Sequence, residues 1–272
     1  MKRLFKQLAV AASLAVSVMS VQATIVNNWS YGLSSLFSAA SPPGVTGVGT
    51  STLSWGTSTG SGQSSLAIGN NPIVGGLVTT FVGGGAIPPA FWAPANTITH
   101  NNNPITGLAL TSAVLTSSLN LVALMPAANP PGTPGALPPL IVNIGFSETP
   151  NQTPCVVIPS PTPCNDIFVL TGGLLNQMFS YDVDGTGAVN YFLNVFPSTG
   201  GVLSTLTALE CAAAGQGAGC IGFTTPENQS TTLGFSFTIS AQPFVIPEPG
   251  SLALAAVALL AAWLIRRRRY ES

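Results

Sequence analysis

Lysine and arginine are absent from the long central part of this 272-residue chain. The basic residues all lie near the ends: Lys2, Arg3, Lys6, Arg266, Arg267, Arg268 and Arg269. Proteins bind nucleic acids largely through cations that neutralise phosphates, so the central part, Thr24 to Ile246, is excluded as a nucleic-acid-binding domain. Ion pairs between its acidic residues and Lys or Arg are excluded for the same reason.

Acidic residues are also few, and nothing within the central part balances them. With six carboxyl side chains and no Lys or Arg, the formal charge from Thr24 to Ile246 is −6. Solubility must therefore come mainly from Ser, Thr, Asn, Gln and backbone groups. The six acids are Glu148, Asp166, Asp182, Asp184, Glu210 and Glu227.

Histidine occurs once, as His100, within the amide-rich stretch Asn96 to Pro104. A protein metal site usually combines several Cys, His or carboxylate ligands, and the acid nearest in sequence is Glu148. We therefore predict no metal or other cofactor. We expect His100 to be a fixed hydrogen-bonding residue in an Asn-rich turn, rather than a metal ligand or a general base.

A Gly-x-Ser-x-Gly match around Ser58 raises the alternative of a serine hydrolase. Such a nucleophile lies between a strand and a helix, and the acid of the triad precedes its histidine in the chain. Here every acid of the central part follows His100, and the surrounding residues are mostly Gly and Ser. We interpret the match as chance and predict that the protein is not an enzyme. Asp182 to Gly187 likewise predicts a β-turn rather than a calcium loop.

Four cysteines form two pairs with equal spacing, Cys155 with Cys164 and Cys211 with Cys220. In an exported chain this pattern is typical of two disulfides. Three pairings are open, and the two local bridges are favoured because short Pro- or Gly-rich loops suit strand ends. A zinc site from all four is disfavoured because tight C-x2-4-C pairs are missing.

Residues 1–23 have the pattern of a secretory signal peptide with a short helix. Basic residues precede an apolar run from Leu8 to Val21, and Val21-Gln22-Ala23 is a small-residue cleavage site. The mature chain is then expected to begin at Thr24.

Residues 245–272 form a second targeting segment. The triplet Pro247-Glu248-Pro249 precedes an uncharged run, Leu252 to Ile265, and then four arginines, Arg266 to Arg269. A helix over about 251–265 would reach roughly 22 Å, short of the ~30 Å hydrocarbon core. The arginine cluster is expected to stay on the cytoplasmic side and to fix the orientation. An ordinary single-pass tail anchor is the alternative.

This order of triplet, apolar helix and arginine cluster resembles the PEP-CTERM sorting signal of Gram-negative bacteria. The resemblance implies processing by exosortase, a membrane-embedded cysteine transpeptidase. It also implies transient membrane attachment through the C-terminal helix. The destination would be the cell surface or the extracellular matrix.

The body, residues 24–244, is expected to be one all-β domain, an antiparallel β-sandwich or jelly roll, between the signal helix and the short transmembrane helix. The only helical segment expected within it is around Leu206 to Ala213. Alternating apolar residues and turn dipeptides predict strands at Leu140–Phe146, Asp166–Leu170, Met178–Val183, Val189–Phe196 and Thr231–Ile239.

Three stretches of the body resemble a PEP-CTERM subgroup named for a Thr-His-x-Asn motif. Thr99, His100 and Asn102 fall on the named positions. The other stretches are Trp55-Gly56-Thr57 with Gly62-Gln63-Ser64-Ser65-Leu66, and Cys164-Asn165-Asp166-Ile167-Phe168. The subgroup supplies no biochemical activity to transfer.

These signals predict an exported surface or matrix protein with a structural or adhesive role in biofilm or exopolysaccharide, and no catalysis. The alternative is a carbohydrate-binding module that stacks sugars on Trp55, Phe91 and Trp92. Exosortase, the membrane and exopolysaccharide are the expected partners.

Overall fold

A computed structural model describes residues 23–127, 134, 137–150, 155, 164–172, 174–198 and 202–244. The predicted signal peptide, apart from Ala23, lies outside the described residues, as does the whole predicted sorting signal, 245–272. Strands make up 57% of the structure and helices 5%, which confirms the prediction of a mostly β protein.

The strands follow one another with a single α-helix among the described residues. Their bounds are β1 Asn28–Ser41, β2 Thr52–Trp55, β3 Thr57–Ser58, β4 Ser64–Gly69, β5 Ile73–Phe81, β6 Ala93–Asn102, β7 Ile105–Thr106, β8 Ser112–Met125, β9 Leu140–Ser147, β10 Asp166–Thr171, β11 Leu174–Tyr181, β12 Val189–Pro197, β13 Ser204–Thr205, β14 Ile221–Thr225 and β15 Gln229–Ser240; helix α1 is Ala208–Ala213, and Pro89–Phe91 is a 3-10 turn.

Most strands belong to one large mixed sheet that divides into two layers. The first layer runs β13-β14-β10-β9-β8-β1-β5 and the second runs β2-β4-β6-β15-β12-β11. They are joined where Thr80 and Phe81 of β5 pair in parallel with Ile239 and Ser240 of β15. The other described pairs of strands are antiparallel, as predicted for the body.

Side chains from both layers pack together in two apolar clusters. In one, Trp29 of β1 contacts the rings of Phe179, Tyr181 and Tyr191 from the second layer. The Trp29 indole donates to Thr80 Oγ1 at 2.9 Å, so its polar atom is satisfied inside the core. The other cluster surrounds Trp55 and joins β2 and β4 to β8, β9 and β10.

The strands with clear alternation were predicted well, and so was the helix. The predicted strands correspond to β9, β10, β11, β12 and β15, and the predicted helical stretch contains α1. Thr207 accepts from the Glu210 backbone while the Glu210 carboxylate accepts from the Thr207 backbone. This capping box satisfies two N-terminal donors and fixes the start of the helix.

The two local disulfides are confirmed as the pairing. Cys155 and Cys164 have Cα atoms 5.5 Å apart, and Cys211 and Cys220 have Cα atoms 5.7 Å apart. Cys211 is fully buried beside Ile167 and anchors α1 to β10.

We expect the double substitution Cys211→Ser with Cys220→Ser to lower the free energy of unfolding by about 2.7 kcal/mol from loop entropy alone. A further loss is expected because a hydroxyl would replace buried sulfur at Cys211. Urea denaturation of the exported protein measures the change. The Cys155–Cys164 bridge closes a loop of the same length, so the double substitution of Cys155 and Cys164 is the matched comparison. Unchanged midpoints in both variants would refute a stabilising role.

Candidate functional site

The stretch around His100 is a strand, so the predicted Asn-rich turn is wrong. Strand β6 lies between β4 and β15 and pairs with both. Asn96, Ile98, His100 and Asn102 face the interior and are buried, whereas the residues between them face outward. Amide side chains on both faces hid the alternation that identifies a strand, because Asn is uncommon in strands.

The His100 imidazole is fully buried among aromatic rings. It stacks on Trp55 with ring centroids 6.0 Å apart, and it meets the edge of Phe146 at 4.9 Å. Its Nε2 lies 3.8 Å from Asp166 Oδ2, and neither ring nitrogen makes a hydrogen bond with the described residues. Burial lowers the pKa of His100 to about 3, so the ring is neutral at neutral pH. The predicted hydrogen-bonding role is therefore wrong.

Asp166 and Glu148 form a carboxyl pair beside this ring. The Trp55 indole donates to Glu148 Oε2 at 2.8 Å, and the Thr149 backbone donates to Asp166 Oδ1 at 2.9 Å. Burial, together with the charge of Glu148, raises the pKa of Asp166 to about 9. Burial is also the main cause that raises the pKa of Glu148 to about 7, with a smaller contribution from Glu227. The pair therefore retains a proton at neutral pH.

The lack of basic residues explains this protonation. Glu148, Asp166 and Glu227 are three of the six acids of the body, and they interact with one another electrostatically. In most proteins Arg or Lys would neutralise such a group. The body has neither, so protons reduce the charge of the Glu148 and Asp166 carboxyls. We call Trp55, His100, Glu148, Asp166 and Glu227 the acid cluster.

Two of the three Thr-His-x-Asn positions face this cluster. Asn102 is buried and donates through Nδ2 to the Thr225 backbone carbonyl at 2.9 Å, and Thr225 is the residue opposite Asp166 on β14. Thr99 lies on the opposite face of β6, and its hydroxyl is 2.8 Å from that of Thr232. The structure thus separates Thr99 from His100 and Asn102.

The three sequence stretches that carried the subgroup resemblance meet at this point. Trp55 comes from the first, His100 from the second and Asp166 from the third. His100 lies between the other two: its ring centroid is 6.0 Å from that of Trp55, and its Nε2 is 3.8 Å from Asp166 Oδ2. The sequence did not indicate that Glu148 and Glu227 would join them. The sequence did contain one relevant feature: the body has no Lys or Arg, so any carboxyl group that it buries must be protonated or must lack a neutralising partner.

The cluster borders an open cleft at Glu148. This half-buried side chain lines the cleft, of about 360 Å³, together with Thr106, Gly107 and Thr149. Its Oε1 atom is buried, and His100 is fully covered.

The other catalytic and metal alternatives find no support in the described residues. Ser58 is exposed, and its hydroxyl accepts from the backbones of Gly60 and Gly62, so it stabilises a turn. Asp182 accepts from Gly185 in a second turn, as predicted. Within the described part of the chain, no three His, Cys, Asp or Glu side chains are grouped to hold a metal ion.

The predicted sugar platform needs correction. Trp55 is 1% exposed and belongs to the core, so it cannot stack on a ligand. Phe91 is half-buried against Phe81, with centroids 5.1 Å apart. Trp92 is 40% exposed and makes a T-shaped contact with Phe196, with centroids 4.8 Å apart.

Comparison with known families places a sorting signal at the C-terminal end of the chain. A family model described as the PEP-CTERM protein-sorting motif matches residues 245–269, less than a tenth of the chain. This motif implies an exported protein that is sorted through the membrane and processed by exosortase. No curated protein matches the chain. Across the described ranges, no helix is long and apolar enough to cross a membrane.

The acid cluster predicts that the protein loses stability as the pH rises. Groups whose pKa is raised by folding stabilise the native state below their unfolded pKa and lose that contribution as pH rises through the folded value. The free energy of unfolding should therefore fall as the pH rises from about 5 to about 9, because the native state retains protons that the unfolded chain releases. His100, with its lowered pKa, acts in the opposite sense and reduces stability below its unfolded pKa of about 6.5.

Asp166→Asn tests this assignment because the amide keeps an acceptor for Thr149 and does not titrate. We expect a flatter decline between pH 7 and pH 9 in the variant than in the wild type, measured by urea denaturation at each pH. Asp184→Asn, in the exposed turn, is the matched control and should leave the decline unchanged. A wild-type stability that is constant or rising over this range would contradict the assignment.

Proposed function

We propose that this protein is exported through the inner membrane of a Gram-negative bacterium and is retained at the cell surface or in the exopolysaccharide matrix. Its C-terminal helix attaches it to the membrane until exosortase acts. Its β-sandwich body then has a structural or adhesive role in biofilm and performs no catalysis. The observation that carries the proposal is the sorting motif that follows a disulfide-bonded body without Lys or Arg.

The outer face of the second layer supports contact with hydrated neutral polymers. Ser54, Ser65, Asn101 and Ser230 form one row across β2, β4, β6 and β15. Asn101 donates to Ser65 at 3.0 Å and accepts from Ser230 at 2.6 Å. The next row contains Thr52, Ala67, Thr99 and Thr232. Such an ordered, uncharged set of hydroxyls and amides suits hydrogen bonding to sugars.

The geometry of the acid cluster favours a non-catalytic body. His100 is covered by Trp55 and Phe146, and it makes no hydrogen bond with the described residues that would position it as a base. Ser58, the residue that matched a nucleophile motif, is exposed at the end of β3, and its hydroxyl accepts from the backbones of Gly60 and Gly62. A general base must reach the proton that it removes, and His100 has no such access.

Carbohydrate binding is the second candidate function. Exposed Trp92 favours it, because aromatic rings form large contact surfaces for ligands with an apolar face.

The mass of the exported form tests the sorting. In cells with exosortase we expect a mature chain that ends near residues 247–250, because the Pro-Glu-Pro triplet is the recognised segment. Deletion of the exosortase gene, or Glu248→Ala, should abolish this processed form, whereas Asp184→Asn, at an exposed turn outside the acid cluster, should leave the processing unchanged. Intact-protein mass spectrometry gives the result. A mass that includes Arg266 to Ser272 in every strain would show that the tail is only an anchor.

The matrix role has a separate test. Deletion of this gene should reduce colony cohesion and the amount of matrix polysaccharide retained by washed cells, and a wild-type copy should restore both. Cohesion and matrix yield equal to the parent strain would refute the structural role.

A further inference from the structure

A cleft with aromatic walls lies on the outer face of β12 and β15, at the end of the body that leads into the sorting motif. It encloses about 380 Å³. Ligand pockets usually measure about 300–1,000 Å³ and combine apolar walls with a few polar groups. We call it the Trp92 cleft, after Ile87, Trp92, Asn194, Phe196, Thr238 and Phe244, which line most of it.

The position of Trp92 is fixed before any ligand binds. Its indole donates to the Ile87 carbonyl at 3.1 Å, and its ring meets Phe196 with centroids 4.8 Å apart and planes at 72°. The ring nevertheless remains 40% exposed. A rigid aromatic surface that faces the solvent loses little conformational entropy when a ligand binds.

The opposite wall is fixed by an asparagine side chain. Asn176 donates through Nδ2 to the Phe244 carbonyl at 2.9 Å and accepts from the Phe244 backbone at 2.6 Å. Asn176 has a φ of 57°, a left-handed conformation that Asn adopts more readily than most residues. This pair of bonds holds Phe244 directly before the sorting motif, which begins at residue 245.

The floor contains two buried polar atoms that need partners. Asn194 on β12 lies opposite Thr238 on β15, and these residues are 1% and 0% exposed. Asn194 Oδ1 accepts from the Asn176 backbone at 2.8 Å, which leaves Nδ2 as the free donor. Asn194 Nδ2 and Thr238 Oγ1 make no hydrogen bond with the described protein atoms. A buried polar group without a partner costs roughly 1–3 kcal/mol, so a ligand that satisfies both atoms would recover that loss.

We propose that the Trp92 cleft binds one sugar residue of a neutral polysaccharide. A pyranose ring has an apolar C–H face that can stack on Trp92 and hydroxyl groups that can pair with Asn194 Nδ2 and Thr238 Oγ1. The lining has no charged residue, and the body carries only acids, so a polyanion would be repelled and gain no ion pair. This inference rests on the proposed export to the matrix and names the partner and its site.

Affinity electrophoresis of the exported protein in gels that contain hydroxyethylcellulose, dextran or galactomannan tests the proposal, with alginate as the polyanion control. We expect at least one neutral polymer to retard the wild type, and alginate to have no such effect. Tryptophan fluorescence gives an independent signal, because Trp29 and Trp55 are buried and Trp263 lies beyond the expected cut. Binding should shift the emission maximum of Trp92 and reduce the quenching of its fluorescence by acrylamide.

Two variants separate binding from folding. Trp92→Ala should weaken binding at least tenfold, since it removes the stacking surface. Thr238→Val keeps the shape and removes the unpaired hydroxyl, so binding should fall about tenfold while the thermal midpoint is unchanged or higher. Thr116→Val, on the first layer, is the matched control and should bind as the wild type does.

The outcomes distinguish this proposal from the matrix role. If the wild type binds a neutral polymer and both cleft variants bind equally well, sugar recognition lies elsewhere and the proposal is overturned. If no neutral polymer retards the wild type but gene deletion still loosens the matrix, the cleft proposal fails and the matrix role stands. Stronger retardation by alginate would also overturn it, because the cleft would then not select neutral sugars.

Discussion

The central constraint on this structure is that carboxyl groups are buried in a body without Lys or Arg to neutralise them. Glu148 accepts a hydrogen bond from Trp55, and Asp166 lies beside His100. The body contains no Lys or Arg that could neutralise these two carboxyl groups. Their neutrality therefore depends on protons, which ties the packing of β2, β6, β9 and β10 to pH. A conventional ion pair would titrate only near the extremes of pH. Here the change falls closer to neutrality, with pKa values of about 7 for Glu148 and about 9 for Asp166.

Several strands could be predicted from the sequence because apolar and polar residues alternate along them. Strand β15 places Leu233, Phe237 and Ile239 in the core, and its pattern predicted it correctly. Strand β6 was misread because amides occupy both of its faces. The length of strand β1 was also missed: short strands and turns were expected in this Gly- and Ser-rich region, whereas Trp29, Tyr31, Leu33 and Phe37 share one buried face of a 14-residue strand. Small polar residues on the solvent side obscure a strand without preventing it.

The candidate sites were less predictable than the fold because each depends on contacts between distant residues. The spacing of cysteines was sufficient to favour local disulfides. No spacing indicated that Glu148 and Asp166 would meet, or that Trp92 would stay exposed while Trp55 would be buried. Those results follow from how the two layers are joined, which a single sequence does not encode in any short pattern.

The edges of the two layers explain how a β protein can remain dispersed without basic residues. Many sheet proteins place lysines on edge strands to prevent pairing with other chains, and this body has none. Three of its outermost strands are instead short or irregular: β13 has 2 residues, β2 has 4, and β11 shifts register between Leu174 and Gln177. The fourth, β5, is paired beyond its own layer only at Thr80 and Phe81, which join β15. In a crowded matrix, a long and regular edge strand would favour pairing between chains and the growth of fibrils. Short or irregular edge strands oppose that pairing, as charged residues do in other sheet proteins.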